Sequence, residues 1–309
     1  MPATALHRSR RRPPGKGRNH SAALSAAPDP KTPATPGTPA TPRATYKVTG
    51  IRVLRSERVK FWSLRSSWIT LGVAVFLLIL FGAIASYTYS PDAVATGGPP
   101  GPGSTSGDSD AVSLALTGVS FAQLAIGVLG VLLSAGEYST GMIRSTLAAV
   151  PRRLPVLWSK AAVIGPIALV LTTLGALAAF QLGTPGLDGE KIALSLGDDG
   201  VLRALAGAGV YLGLVAVFGV ALGVLIRSSA GAIAALVGVL LILPGLASLL
   251  PDSWYDTLSP YFPSNAGSAV YALHQSSDAL SPGAGLAVFA GWVALTLAGA
   301  AFRLARTDA

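Results

Sequence analysis

The chain has 309 residues, of which 51% are hydrophobic and only 12% are charged. This charged fraction is about half that of an ordinary soluble domain, so the composition predicts an integral membrane protein. The sequence contains no cysteine, which excludes disulfides, cysteine-ligated zinc and a thiol nucleophile.

Residues 1–45 are rich in Pro, Ala, Thr, Ser and Arg and lack apolar periodicity. They are predicted to form a disordered cytoplasmic tail before a transmembrane domain over residues 46–309. The run HRSRRRPPGKGR is compatible with anionic lipid or nucleic acid, but we favour a solvated basic tail and no nucleic-acid partner. No apolar core follows this run directly, so we do not expect a secretory signal peptide.

The segment IRVLRSERVKFWSLRSS precedes the first long apolar stretch. On a helical wheel, Arg52, Arg55 and Lys60 cluster on one side and most of the apolar residues lie on the other. Glu57 and Arg58 interrupt the apolar side. This moderate amphipathicity predicts a helix along the inner membrane interface.

Six apolar stretches without a charged residue are each close to the roughly 20 residues that cross a bilayer as a helix. They run over Ser67–Tyr87, Leu114–Ser134, Ala161–Leu182, Ala204–Ile226, Ala230–Leu250 and Ala284–Phe302. A β-barrel would alternate polar and apolar residues in shorter segments. The predicted fold is therefore an all-α membrane protein with six transmembrane helices.

The distribution of basic residues predicts the orientation of these spans. With the N-terminus inside, twelve Lys and Arg residues after residue 50 fall on the inner side, and only Lys191 and Arg203 fall outside. Ten of the fourteen acidic residues fall outside. The positive-inside rule therefore favours a cytoplasmic position for both termini.

The last outer loop, Trp254 to Ser281, is rich in aromatic residues. Composition favours equally one or two short interfacial or re-entrant helices and an ordinary loop with an aromatic belt. In the fourth span, Gly209 and Gly213, and then Gly219 and Gly223, have the spacing that lets helices approach closely. Packing within the chain and a dimer seam both fit this pattern, and we favour the former.

Several sources of chemistry have no visible residues. No predicted span contains an ionisable side chain of the kind that ion-coupled carriers use, and Glu137 lies only at the end of span 2. There is no phosphate-binding GxxxxGK[ST] loop, no hydrolase or protease motif, and only isolated histidines. We therefore expect no enzyme activity, catalytic residue, metal or bound cofactor in this chain, and an external energy source or passive behaviour.

The segment GEYSTGMIRSTLAAVPRR, residues 136–153, connects spans 2 and 3. A helix over Tyr138–Val150 would align Ile143, Leu147 and Val150 on one face and end at Pro151. Arg144 and Arg152 add positive charge around it. The pattern fits a short cytoplasmic helix that docks in a partner's groove, but also a plain connecting loop that obeys the positive-inside rule.

Three passages resemble the permease subunits of ABC-2 type ABC transporters, in the form common in actinobacteria. They are VLRSERVKFWSLRSSWITL, GEYSTGMIRSTLAAVPRRLPVLWSK and LSPYFPSNAGSAVYAL, and the second is the most specific. The resemblance runs from about Arg52 to the end of the chain. It implies an interfacial connecting helix, a coupling helix after span 2 and re-entrant outer helices before span 6.

The resemblance also implies a role and partners. The chain would be an export permease, working as a homodimer or heterodimer above a separate cytoplasmic ATPase that binds ATP and Mg. The residues on the coupling motif are Glu137, Thr140, Gly141, Arg144, Leu147, Pro151 and Arg152, and those on the connecting helix are Arg52, Glu57 and Lys60. The alternative is a membrane protein without an ATPase, such as a passive carrier or scaffold. A lipid-modifying enzyme is disfavoured by the absence of paired acidic or histidine residues.

Overall fold

The computed structural model describes residues 50–90, 110–142, 154–249, 251–275 and 279–306. All of these residues lie in one compact unit, Lys47–Ala309. Regular structure in the described ranges is entirely helical, and six of the helices are long and apolar enough to cross a membrane. In this coarse form, the prediction of an all-α, multi-pass membrane protein is confirmed.

The described residues form ten α-helices, counting Ser229–Ala247 as one. In chain order they are α1 (Gly50–Ser63), α2 (Arg65–Tyr87), α3 (Ala111–Ala115), α4 (Val119–Ser139), α5 (Leu154–Gly183), α6 (Val201–Ile226), α7 (Ser229–Ala247), α8 (Asp252–Leu258), α9 (Pro263–Tyr271) and α10 (Pro282–Arg306). The six long apolar helices are α2, α4, α5, α6, α7 and α10.

The second span begins later than its apolar stretch suggests. Residues expected at its start form the separate helix α3, whose N-cap Asp110 accepts a hydrogen bond from the Ser113 N–H in a capping box. Gly118 then passes close to the backbone of Leu78, leaving no room for a Cβ atom. As a result α4 starts at Val119. At its other end α4 continues past the predicted Ser134 to Ser139, so Glu137 lies inside the helix.

Helix α6 is the central element of the bundle and packs along α4, α5 and α10. Its glycines make this close approach possible. A Cβ atom on Gly209 would collide with α5, and one on Gly213 would come within 3.0 Å of the Leu169 side chain of α5. A Cβ atom on Gly219 or Gly223 would collide with α4. Both glycine pairs therefore pack within the chain, as favoured from the sequence.

Helix α7 is irregular and joined to α6 by a minimal connection. Arg227 ends α6 in the left-handed conformation (φ 62°), and the Ser228 side chain accepts a hydrogen bond from the Gly231 N–H to start α7. Within α7, residues Gly238–Ile242 form a π-helical segment just before Pro244. A proline removes one backbone donor, which accounts for a change of hydrogen-bond pattern there.

The aromatic-rich segment after α7 is helical in the described residues and tied to the bundle by side chains. The Arg203 guanidinium at the start of α6 donates to the carbonyl oxygens of Val270 and Ala272, at 3.4 and 2.7 Å, at the end of α9. The indole N–H of Trp292 in α10 donates to the Tyr261 carbonyl at 3.1 Å. These bonds fix the segment against α6 and α10.

Candidate functional site

The site lies at the end of the bundle where α2 begins and α4 ends. We call this the basic end, because Arg65, Arg227 and Arg303 lie there at helix termini. Helix α1 packs across it against α5. The buried face of α1 consists of Val53, Glu57 and Phe61, which recur at every fourth position as one helical face requires.

Helix α1 therefore does not bury the whole apolar side that the sequence wheel suggests. Ile51 and Trp62 are exposed by 80% and 57%, whereas Glu57, which interrupts the apolar side, is only 7% exposed. A carboxylate is buried in this way only when it is paired. Its partners are Lys60 on the same helix and Lys160 on α5.

Four side chains form an ion-pair network at the basic end: Glu57, Lys60, Glu137 and Lys160. The Lys160 Nζ lies 2.8 Å from Glu57 Oε2 and 2.8 Å from Glu137 Oε1. The Lys60 Nζ lies 3.0 Å from Glu57 Oε1 and 3.2 Å from Glu137 Oε1. The network thus joins α1, the end of α4 and the start of α5.

The two lysines differ in their surroundings. Lys160 is 7% exposed, and its three ammonium hydrogens are matched by the two carboxylates and the Leu133 carbonyl oxygen at 3.2 Å. Lys60 is 30% exposed and donates to the same two carboxylates. The two positive and two negative charges balance one another, and this balance allows the cluster to be buried.

The protonation of Lys60 is held by its partners. Burial alone would lower its pKa. The hydrogen bond to Glu57 and the negative charges of Glu57 and Glu137 outweigh that effect, and the pKa of Lys60 is raised above its usual 10.5. The ammonium is therefore charged at physiological pH and keeps both carboxylates paired.

The opposite side of the α4 terminus is also held in place. The guanidinium of Arg227 lies over the Tyr138 ring, 5.3 Å from its centroid. The Arg303 guanidinium of α10 donates to the Leu225 carbonyl of α6. Residues Glu137 and Tyr138 thus connect the end of α4 to α1 and α5 on one side and to α6 on the other.

The predicted coupling residues fall partly within the described chain. Glu137 is in the network, Thr140 is the C-cap of α4, and Gly141 follows with φ 72°. Such a positive φ favours glycine and turns the chain after a helix. Tyr138, expected to start the next helix, belongs to α4. Arg144, Leu147, Pro151 and Arg152 lie outside the described residues.

The predicted connecting helix corresponds to α1, and the structure joins its Glu57 and Lys60 to Glu137 of the coupling motif. Arg52 lies on the same helix and is outside this network. Sequence reasoning missed Lys160 as a site residue. The predicted third span starts at Ala161, just after this lysine, whereas α5 begins at Leu154 and includes Lys160. One sequence signal could have indicated this ion pair. Glu137 follows the second predicted span and Lys160 precedes the third, and the facing ends of two consecutive antiparallel spans lie close together.

Comparison with known proteins adds no assignment: no protein-family model matches the chain, and no curated protein matches it.

Proposed function

We propose that this chain is the membrane-spanning permease subunit of an ABC-2 type exporter, located in a bacterial plasma membrane. In this role it would couple a separate cytoplasmic ATPase to export by conformational switching. The proposal starts from the resemblance of residues 53–71, 136–160 and 258–273 to that family. It also draws on one structural observation, the ion-pair network.

The network supports a coupling role because of its position. Glu137 and Lys160 lie at the two ends of the connection between α4 and α5, and their side chains are 2.8 Å apart. The connection therefore begins and ends at one fixed point. A force applied to residues 143–153 by a partner would reach α4 and α5 together.

The same network extends this coupling to α1. Glu57 and Lys60 attach α1 to both ends of the connection, and α1 leads into α2 through the single residue Leu64. Conformational switching usually involves packed helices and ion pairs that can adopt two alternative arrangements. Movement of the connection would thus shift α1 and α2 as well as α4 and α5.

The proposed permease has a defined orientation in the membrane. The basic end would face the cytoplasm, with both chain termini inside, and α1 would lie along the inner interface. Helices α8 and α9 would be the outer re-entrant pair. Two permeases, identical or different, would form the export path, and ATP and Mg would bind to the ATPase alone.

Mild extraction of the tagged chain from its native membranes tests the partner. We expect a soluble ATPase in stoichiometric amount, with Mg-dependent ATP hydrolysis that depends on the permease. A folded chain that purifies without any ATPase would overturn the proposal. It would favour the alternative of a passive carrier or scaffold without an ATPase.

Two substitutions in the connection test the coupling itself. Arg144→Gln and Leu147→Ala should lower transport per ATP hydrolysed while leaving membrane insertion unchanged. Lys191→Gln is the matched control, since Lys191 lies on an exposed loop at the opposite end of the bundle. Transport equal to wild type in both connection variants would argue against a coupling helix at this position.

A further inference from the structure

A small cavity lies next to the ion-pair network, where α4, α5, α6 and α10 meet at the basic end. Its volume is about 10 Å³. Its walls include Ser134, Glu137 and Tyr138 of α4, Leu157 and Lys160 of α5, and Val224 of α6. This space suits one water molecule and is far below the roughly 300 Å³ at which pockets for organic ligands begin. Any occupant is therefore a single small molecule or ion.

Two polar atoms of the lining residues have no hydrogen-bond partner within the described part of the chain. They are Glu137 Oε2 and the Tyr138 hydroxyl oxygen, and both atoms are buried. Glu137 is only 9% exposed, and both lysines of the network bind its Oε1 atom, so Oε2 is left over. The Arg227 guanidinium lies over the face of the Tyr138 ring and makes no well-formed hydrogen bond to the hydroxyl. Buried polar atoms without a partner destabilise a fold, most of all on a charged group, so both atoms indicate a ligand that is not a side chain.

The charges around the cavity favour water over an ion. Lys160 and Glu137 both line it and pair with each other, so they add no net charge to the lining. A cation in this space would be repelled by the Lys160 ammonium, and an anion would be repelled by Glu137 Oε2. A neutral molecule that both donates and accepts hydrogen bonds fits, and at this size that molecule is water.

The lining offers such a water three hydrogen bonds, which is the usual number for a buried water. The Tyr138 hydroxyl can donate to it, and the ionised Glu137 carboxylate can only accept from it. Its second hydrogen suits Ser134 Oγ, because the Ser134 O–H is directed at backbone carbonyls of the preceding turn of α4. Lys160 is not a partner, since its three ammonium hydrogens already have acceptors.

We propose that this cavity holds one ordered water molecule, which accepts a hydrogen bond from the Tyr138 hydroxyl and donates to Glu137 Oε2 and Ser134 Oγ. The water joins the ion-pair network to the contact between Tyr138 and Arg227. Polar contacts then run without a break from α1 through α5 and α4 to α6. The site rests on these contacts alone and does not depend on the exporter proposal.

Radiolytic hydroxyl labelling of the full chain in detergent, read by mass spectrometry, tests for this water. Buried side chains are oxidised in such an experiment when radicals form from a water molecule beside them. Leu157 lines the cavity and is 1% exposed, whereas Leu205 is 0% exposed and does not line it. Leu157 should therefore be oxidised severalfold faster than Leu205. Equal rates would overturn the proposal.

Val224→Ile displaces the water, because it adds a methyl group to the cavity wall from a buried position on α6. Oxidation of Leu157 should then fall to the rate of Leu205. Val170→Ile is the matched control, since Val170 is exposed on α5 and does not line the cavity, and it should leave the oxidation of Leu157 unchanged. If Val224→Ile does not give a monodisperse protein, Val156→Ile fills the same cavity from α5. Unchanged oxidation of Leu157 in the filled variant would exclude the site.

Tyr138→Phe gives a second readout, because it keeps the ring under Arg227 and removes only the hydroxyl. In the wild type it should lower the midpoint of thermal unfolding, since a hydrogen bond to the water is lost. In the Val224→Ile background the hydroxyl has no water to bind, so the same substitution should be neutral or raise the midpoint. An equal lowering in both backgrounds would contradict the water bridge, as would an unchanged midpoint in the wild type.

Discussion

Glu137 and Lys160 are separated by 23 positions, yet Glu137 Oε1 and Lys160 Nζ lie 2.8 Å apart in a buried ion pair. Glu57, which is 103 positions from Lys160, completes the charge balance from a third helix. Removing a partner from such a pair costs more than the pair itself contributes, because the remaining charge stays buried.

Glu137→Gln should destabilise the fold by about 3 kcal/mol, because Lys160 and Lys60 each lose one of two carboxylates. Thermal unfolding of the purified protein, followed by intrinsic tryptophan fluorescence, measures the loss. Asp188→Asn, on an exposed loop at the other end of the bundle, should unfold like the wild type. Equal stability of the two variants would show that the network does not hold the helices.

Glu57→Gln and Lys160→Gln should each destabilise the protein, and the double variant should lose less than the sum of the two. A coupling of about 1–3 kcal/mol is usual for residues in direct contact. The measurement is a double-mutant cycle built from the same unfolding assay. Lys160→Gln combined with Asp188→Asn should be additive, since those sites are far apart. Additivity in the first pair would contradict the contact.

The stabilisation by Lys60 should disappear at high pH. Its folded pKa is raised above 10.5, so its contribution is complete below that value and is lost as pH rises through the folded pKa. The stability difference between the wild type and Lys60→Gln should therefore be constant at neutral pH and shrink in strong alkali. The control Lys191→Gln should have the same stability as the wild type throughout this pH range. A difference that persists above the folded pKa would mean that charge is not the cause.

Gly219→Ala should destabilise the bundle by about 1–3 kcal/mol, because its Cβ would collide with the backbone of Gly127 and neither helix can yield cheaply. Gly72→Ala in α2 is the control, since a Cβ there meets no atom within 4 Å. It should be neutral or stabilising, as alanine is the better helix former. A neutral Gly219→Ala would mean that α4 and α6 are less closely packed than described.

The number of spans was predictable because each requires a long apolar run, and such runs are visible without knowledge of contacts. Helix ends were less predictable, since local interactions set them. The Asp110 cap and the close passage of Gly118 against Leu78 divide one apolar stretch into α3 and α4. The sequence places both residues in the chain but does not show what they meet.

The candidate site was likewise only partly predictable from the sequence. Glu57, Lys60 and Glu137 were selected by resemblance, without a reason for their proximity. Lys160 was overlooked because a single lysine near an apolar run is also explained by the positive-inside rule. Only packing shows that all four side chains meet, because α1 must cross α5 for Glu57 to reach Lys160. The direction of a helix across a bundle is not encoded in its own periodicity.

The short link between α6 and α7 restricts how the bundle can rearrange. Two residues, Arg227 and Ser228, join these helices, and two extended residues span at most about 7 Å. Helix α7 therefore cannot slide along α6 by a helical turn or exchange between two copies of the chain without unwinding a helix end. The motion open to it is a swing about Arg227, with the π-helical segment Gly238–Ile242 as a second bending point farther from the pivot.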